Sequence, residues 1–250
     1  MKIQIEHPKG TFRADLSKPV DISLSLINGP DNVNAWYVPP PSIIPVKDGD
    51  FTGSVAEGAS TNFNNIFFNP HAHGTHTECV GHISKEFRSV NRELKTFFFL
   101  ARLVTVAPET KGDDRVITME MLSSALNEDI PEALVIRTLP NDHSKRSRQY
   151  SHSNPPYLEE KAAKWIAEKG IEHLLVDLPS VDKEKDDGKL LAHKAFWNYP
   201  DDPRPGTTIT EFIFVPDATE DGLYLLNLQI ASFENDAAPS KPVLYKLAFE

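Results

Sequence analysis

Four histidines and one glutamate fall within His71-Ala72-His73-Gly74-Thr75-His76-Thr77-Glu78-Cys79-Val80-Gly81-His82, twelve of the chain's 250 residues. Imidazole nitrogens and carboxylate oxygens are the donors that proteins offer to zinc, manganese and iron. The spacing suits a shared ion. His76 and Glu78 are two apart, so in an extended segment both point to one face. His71 lies five residues before His76, across Gly74, where a turn can fold it onto the same ion. His82 lies four residues beyond Glu78, across Gly81. A glycine lets backbone approach a site closely because it has no side chain. No CxxC or HExxH pattern is present. The segment points to a metal-dependent enzyme. The competing reading is a histidine-rich loop held by structural hydrogen bonds, and His73 is the histidine that suits it best.

The rest of the chain must position these groups. Composition is that of an ordinary globular protein, 40% hydrophobic and 25% charged. The net charge is 26 − 36 = −10, which disfavours nucleic acid or an anionic membrane as a partner. No apolar run approaches the ~20 residues needed to cross a bilayer. Met1 to Pro8 has no signal-peptide apolar core, so a cytoplasmic protein is expected. The single cysteine, Cys79, leaves no internal disulfide. Twenty prolines against twelve glycines point to ordered, extended loops rather than a helical bundle.

Val20-Asp21-Ile22-Ser23-Leu24-Ser25-Leu26 alternates apolar and polar residues and reads as a half-buried strand. Asn65 to Phe68 reads as a short strand leading into the histidine segment. Phe97 to Val106, Ala133 to Ile136, His173 to Val176, Leu223 to Ile230 and Val243 to Leu247 read as further strands. Thr118 is a plausible N-cap for a helix through Leu126. Asn154-Pro155-Pro156 opens the clearest helix pattern, up to Lys169, with Leu158, Ala162, Trp165 and Ile166 on one apolar face and Gly170 at the C-terminal cap. Strands outnumber the few, widely spaced helices. The expected architecture is α/β or α+β, not a doubly wound sheet, and one domain over residues 1–250.

Pro70-His71, Gly74-Thr75-His76-Thr77-Glu78 and His82 resemble the signature of the cyclase family of metal hydrolases, which includes kynurenine formamidase and isatin hydrolase. Further segments agree in order: Asp21-Ile22-Ser23, Trp36, Asn154 to Gly170, Val176 to Asp182, Leu191-Ala192-His193, Thr210-Glu211 and Asp236 to Val243. The resemblance covers about residues 20 to 248. It implies a single domain of the swivelling β/β/α type, strand-rich with few helices. Three departures stand out. One extra residue separates His71 from Gly74, so either His71 or His73 takes the ligand role, and Pro70 favours His71. Glu78 replaces the family's usual aspartate, and Val80 replaces its proline.

Carried over position by position, the resemblance implies two metal ions, zinc or alternatively manganese. His71, His76, Glu78 and Glu211 would hold the first, and Glu78, His193 and Glu211 the second. A carboxylate has two oxygens and a negative charge, so a glutamate can bridge two cations where an imidazole cannot. A metal-activated water would attack an amide or formyl carbonyl, with His82 as general acid/base and Trp36 as an apolar wall for the substrate. The implied reaction is that of an arylformamidase, N-formyl-kynurenine to kynurenine and formate. Hydrolysis of a cyclic amide or lactone, as by isatin hydrolase, and a non-catalytic metal- or ligand-binding protein are the rivals. The resemblance also implies a homodimer or larger homo-oligomer acting on a small-molecule substrate. Read alone, His193 suits a helix face, Glu211 either face of a strand, and Trp36 packing. Cys79 reads as a buried small hydrophobe, and Asp177, Ser180 and Asp182 as loop-shaping residues in the absence of a GxSxG elbow.

Overall fold

Ala133-Leu134-Val135-Ile136 is apolar at every position, the pattern of a strand covered on both faces. The computed structural model, which describes residues 1–127 and 130–249, places it so. Strands Phe98–Val106, Ala133–Thr138, His173–Val176 and Thr208–Glu211 lie side by side and parallel. Gly222–Ile230 runs antiparallel to the first of them, and Ala237–Phe249 runs antiparallel to Gly222–Ile230. His76–Glu78 then fits antiparallel between Thr208–Glu211 and the start of Ala237–Phe249. That short strand closes seven strands into a ring.

The parallel strands are joined by crossovers that each carry one helix: Met119–Leu126, Glu160–Glu168 and Leu191–Trp197. Alternate strand residues serve the two sides. Leu134 and Ile136 pack outward with Leu122, Leu126, Ala162 and Ile166 of the helices. Ala133 and Val135 face inward with Leu103, Leu226 and Leu244. Fully burying such a side chain contributes roughly 1.5–3 kcal/mol, so the two cores hold the ring between them. The strand-rich α/β architecture agrees with the sequence reading.

Three elements differ in their bounds from expectation, and one hairpin is added. The helix expected from Asn154 begins only at Glu160. Asn154 and Pro155 each precede a proline, which disfavours helical backbone there. Tyr157-Leu158 instead pairs with Val116-Ile117 as a short parallel strand, so Leu158 joins the core from a strand. The strand expected over Val20 to Leu26 stops at Asp21. Asp21 accepts hydrogen bonds from the backbone N–H and hydroxyl of Ser23, and Leu24 N–H donates to Thr75 Oγ1 at 2.7 Å. Side chains thus take over from a ladder. The last strand is longer than expected, and the hairpin of Lys2–His7 with Gly10–Asp15 is an addition that extends its far end. The expected helix behind Thr118 is present, with the threonine hydroxyl accepting from Met121 N–H. Among the described residues no helix is long and apolar enough to cross a membrane.

Inside the His173–Val176 strand, His173 is 2% exposed, lies against Phe99 and shares a 2.8 Å hydrogen bond with Thr208 Oγ1. Burial, with the nearby Arg204 charge, lowers its pKa from 6.5 to about 4. The folded state keeps this imidazole neutral where the unfolded chain protonates it, so its stabilising effect is present above pH 6.5 and lost as pH falls towards 4. At 1.36 kcal/mol per unit, that is about 3 kcal/mol. Denaturant unfolding at pH 7 and pH 4 should show a stability difference smaller by roughly this amount in His173→Asn than in the parent. An equal acid loss in both would exclude His173 as its source.

Candidate metal centre

The His76–Glu78 strand sets the geometry. Its register places His76 opposite Glu211 on one side and Pro239 on the other. Side chains alternate, so His76 and Glu78 share a face with Glu211, while Thr77 turns away to meet Thr210 Oγ1 at 2.8 Å. His76 Nδ1 donates to the Gly74 carbonyl at 3.0 Å, which leaves the lone pair on Nε2, 3.4 Å from Glu211 Oε2. His76, Glu78 and Glu211 are all buried.

The extra residue before Gly74 is absorbed in a turn organised by Asn69. Its carbonyl accepts from both Ala72 and His73 N–H, and its side chain accepts from His71 N–H. The turn sends the two histidines apart. His71 Nδ1 lies 3.1 Å from Glu78 Oε2, whereas His73 faces away, with Nε2 donating to the Pro39 carbonyl and Nδ1 accepting from Asn69 N–H. Gly74, at φ +150°, takes a backbone conformation closed to ordinary side chains. Beyond Glu78 the chain enters a single 3₁₀ turn, Val80–His82. Gly81 is essential to it, because a Cβ there would sit 2.3 Å from the Arg88 carbonyl oxygen. His82 Nδ1 lies 3.8 Å from Glu78 Oε2.

The downstream candidates arrive from other elements. His193, on the Leu191–Trp197 helix, brings Nε2 to 3.0 Å from Glu78 Oε1 and 3.9 Å from Glu211 Oε1. Glu211 Oε1 also accepts from Val181 N–H at 2.9 Å. The fold therefore gathers His71, His76, Glu78, His82, His193 and Glu211 into one cluster and leaves His73 outside it. Trp36 reaches the same cavity of about 250 Å³, which His71, His82, Ser180 and Leu190 also line. Its Nε1 donates to the His71 carbonyl at 3.1 Å. Cys79 is fully buried on the opposite face of the strand, beside Val90 and Ala238, and burial pushes its thiol up to about 12.

Two members were missed in the sequence. Asp236 accepts from His71 Nε2 at 2.8 Å and from His82 Nδ1 at 3.2 Å. It lies just before the last strand, 154 residues beyond His82, and opens the Asp236 to Val243 segment of the resemblance, where no site role was expected. Asp182, expected only to shape a loop, accepts from His193 Nδ1 at 2.6 Å. Its distance of eleven residues from a candidate histidine was the one available signal. Asp177 does shape the backbone: it accepts from Thr138 N–H and hydroxyl, and from buried Lys145.

Charge explains the cluster. Burial works against a charged His71, but hydrogen bonds to Asp236 and Glu78 prevail and raise its pKa to about 10. His193 is likewise raised well above its ordinary value by Asp182 and Glu78 against the effect of burial. Burial opposes ionisation of Glu78, yet the charges and hydrogen bonds of His82, His193 and His71 hold its carboxyl well below the usual range. Asp236 and Asp182 are lowered in the same way by their histidines. Within the cluster, two buried atoms, His76 Nε2 and Glu78 Oε2, nonetheless lack a well-directed hydrogen bond, and they lie 3.9 Å apart. With His71 they form one of three groups, among the described residues, whose ligand atoms are close enough to share an ion. Imidazole and carboxylate donors around two unsatisfied buried atoms fit a divalent metal.

Comparison with known proteins identifies the family. The family model described as Putative cyclase matches residues 14–183. The chain belongs to the cyclase family. The kynurenine formamidase of Bacillus cereus is 28% identical over 230 residues, 91% of this chain and 97% of that protein. Isatin hydrolase A from Labrenzia aggregata superposes with a TM-score of 0.66 at 17% identity, over 93% of this chain and 94% of its own. A predicted metal-dependent hydrolase from Bacillus stearothermophilus gives 0.62 at 19% identity, over 91% and 98%. The family model's match ends before His193, Glu211 and Asp236, which the geometry brings into the cluster.

Gly81→Ala should lower stability by about 1–3 kcal/mol in denaturant unfolding, since the added methyl meets backbone rather than a movable side chain. Unchanged stability would show that the 81–88 contact yields freely.

Proposed function

We propose that this chain is a metal-dependent hydrolase of an amide bond, arylformamidase-like, converting N-formyl-kynurenine to kynurenine and formate. The observation that carries the metal-centre reading is how the two buried glutamates divide their oxygens. Glu78 presents Oε2 to His71 and His76 and Oε1 to His193. Glu211 presents Oε2 to His76 and Oε1 to His193. That is the arrangement two bridging carboxylates need. In this reading His71, His76, Glu78 and Glu211 would hold one ion, and Glu78, His193 and Glu211 a second. Zinc is the leading choice for imidazole-rich donors, with manganese as the alternative. The relatives support a hydrolase, and the Bacillus cereus formamidase supports the amide substrate.

Bound ions would supply Lewis-acid polarisation of a carbonyl and activate a water for attack. His82 would serve as the general acid/base, accepting a proton from the attacking water and giving one to the leaving nitrogen, a role that imidazole suits. Asp236 engages His82 Nδ1, which leaves Nε2 for the transfer. Trp36 provides a flat apolar wall beside the cluster. A second reading, hydrolysis of a cyclic amide or lactone, is favoured by one observation: among the described residues no lysine or arginine lines the cavity to pair with an amino-acid carboxylate. The homodimer or larger assembly belongs to the same proposal, supported by exposed Ile44, Ile66 and Phe67 on the two-stranded ribbon of Ser42–Pro45 and Asn64–Phe67.

Elemental analysis should find metal in the parent and in His73→Ala, but not in Glu78→Ala, with His71→Ala also depleted. Metal retained in Glu78→Ala would sink the centre. Purified protein should deformylate N-formyl-kynurenine in preference to opening isatin, and the reverse preference selects the cyclic-amide reading. His82→Ala should keep its metal and lose roughly 10²–10⁴-fold in kcat. Full activity in that variant would remove the acid/base role, and no turnover by the metal-loaded parent would favour a binding protein.

A further inference from the structure

We infer that Asp182 is a positioning residue that determines which nitrogen His193 offers to a metal ion. The inference rests on the metal centre proposed above. Asp182 and His193 are 6% and 2% exposed, so neither exchanges its partner for water. Asp182 Oδ2 lies 2.6 Å from His193 Nδ1. A carboxylate only accepts, so a proton stays on Nδ1, and Nε2, hydrogen-bonded to Glu78 Oε1 at 3.0 Å, is the nitrogen that would exchange its proton for a cation. That is the nitrogen aimed at Glu78 Oε1 and Glu211 Oε1. Histidine ligands are commonly held in this way by a carboxylate on the other ring nitrogen.

The same carboxylate also fixes the helix that carries His193. Leu191–Trp197 begins after Leu190, which is in left-handed backbone at φ 49° and has no side-chain oxygen to cap the first turn. Asp182 supplies the cap from a separate loop, accepting from Ala192 N–H through Oδ1 at 2.7 Å and from His193 N–H through Oδ2 at 3.2 Å. Two oxygens thus satisfy three N–H donors. Asparagine has one acceptor oxygen and cannot do the same. With its oxygen on the helix cap, its NH₂ group faces His193 Nδ1, which must then accept, and the ring proton moves to Nε2 and blocks the metal-facing lone pair. A role in helix capping alone predicts no such effect.

The test uses the full chain with zinc as the only added ligand. Elemental analysis and chelator competition should find two ions in the parent. In Asp182→Asn one ion should bind as in the parent and the other roughly 10–100-fold more weakly. His193→Ala should weaken the same ion, and the double variant no further than His193→Ala. In zinc-loaded parent protein, nitrogen NMR of labelled histidine should place the proton on His193 Nδ1 and zinc on Nε2. Zinc on Nδ1 overturns the inference, a readout independent of how any variant folds. Parent-like affinities for both ions in folded Asp182→Asn also overturn it, leaving the centre intact and Asp182 a cap. A parent that takes up no zinc overturns the centre and the inference with it.

Discussion

The burial of the Glu78 carboxylate is the constraint on which the rest of the site depends. A negative charge removed from water is tolerated only where opposite charge and hydrogen bonds replace solvation, and removing one partner of such a set typically costs about 3–5 kcal/mol. Glu78 is wholly buried, and three imidazoles from three parts of the chain answer it: His71 from a turn, His82 from a 3₁₀ turn and His193 from a helix. Two of these are raised to hold their protons, and Asp236 and Asp182 in turn balance them. The cluster is an alternating lattice of acids and imidazoles, stable as charge and rich in donors for a cation.

The barrel serves that lattice. Only three residues long, His76–Glu78 is held as a strand because neighbours flank it on both sides, at Ile209–Glu211 and Ala237–Pro239. Its register is what sets His76 beside Glu211, and a slip of one residue would turn His76 and Glu78 to the face that Thr77 and Thr210 occupy. The helices on the outer face bring His193 in over this strand, packed on Trp197 and the surrounding apolar core. Position of the chemistry thus follows from closure of the ring.

Family membership and geometry contribute different things. The matched residues 14–183 contain the histidine segment and Asp182, and the relatives there include amide hydrolases. His193, Glu211 and Asp236 lie beyond that match and are joined to the rest of the cluster by their contacts with Glu78, His76 and His71. The inserted residue between His71 and Gly74 changes the local path without changing which histidine reaches Glu78, because Asn69 takes up the spare backbone N–H groups.

By itself the sequence determined the local chemistry. The density of imidazoles at 71–82, the same-face spacing of His76 and Glu78, the small residue needed at Gly81 and the apolar runs of the central strands all follow from neighbours a few residues apart. These are short-range properties, set by backbone periodicity and side-chain type. The prolines at 155 and 156 disfavour helix locally, but the start at Glu160 was completed by pairing of Tyr157-Leu158 with a distant strand, which no local pattern encodes. The same holds for Asp182 and Asp236. An isolated aspartate in a loop looks alike whether it faces water or a histidine, and only the closed ring brings these two against His193, His71 and His82. Whether His71 or His73 joined the cluster was also left open by the sequence, since both lie within reach. The turn at Asn69 decided it by satisfying His73 against backbone and leaving His71 to compensate a buried charge.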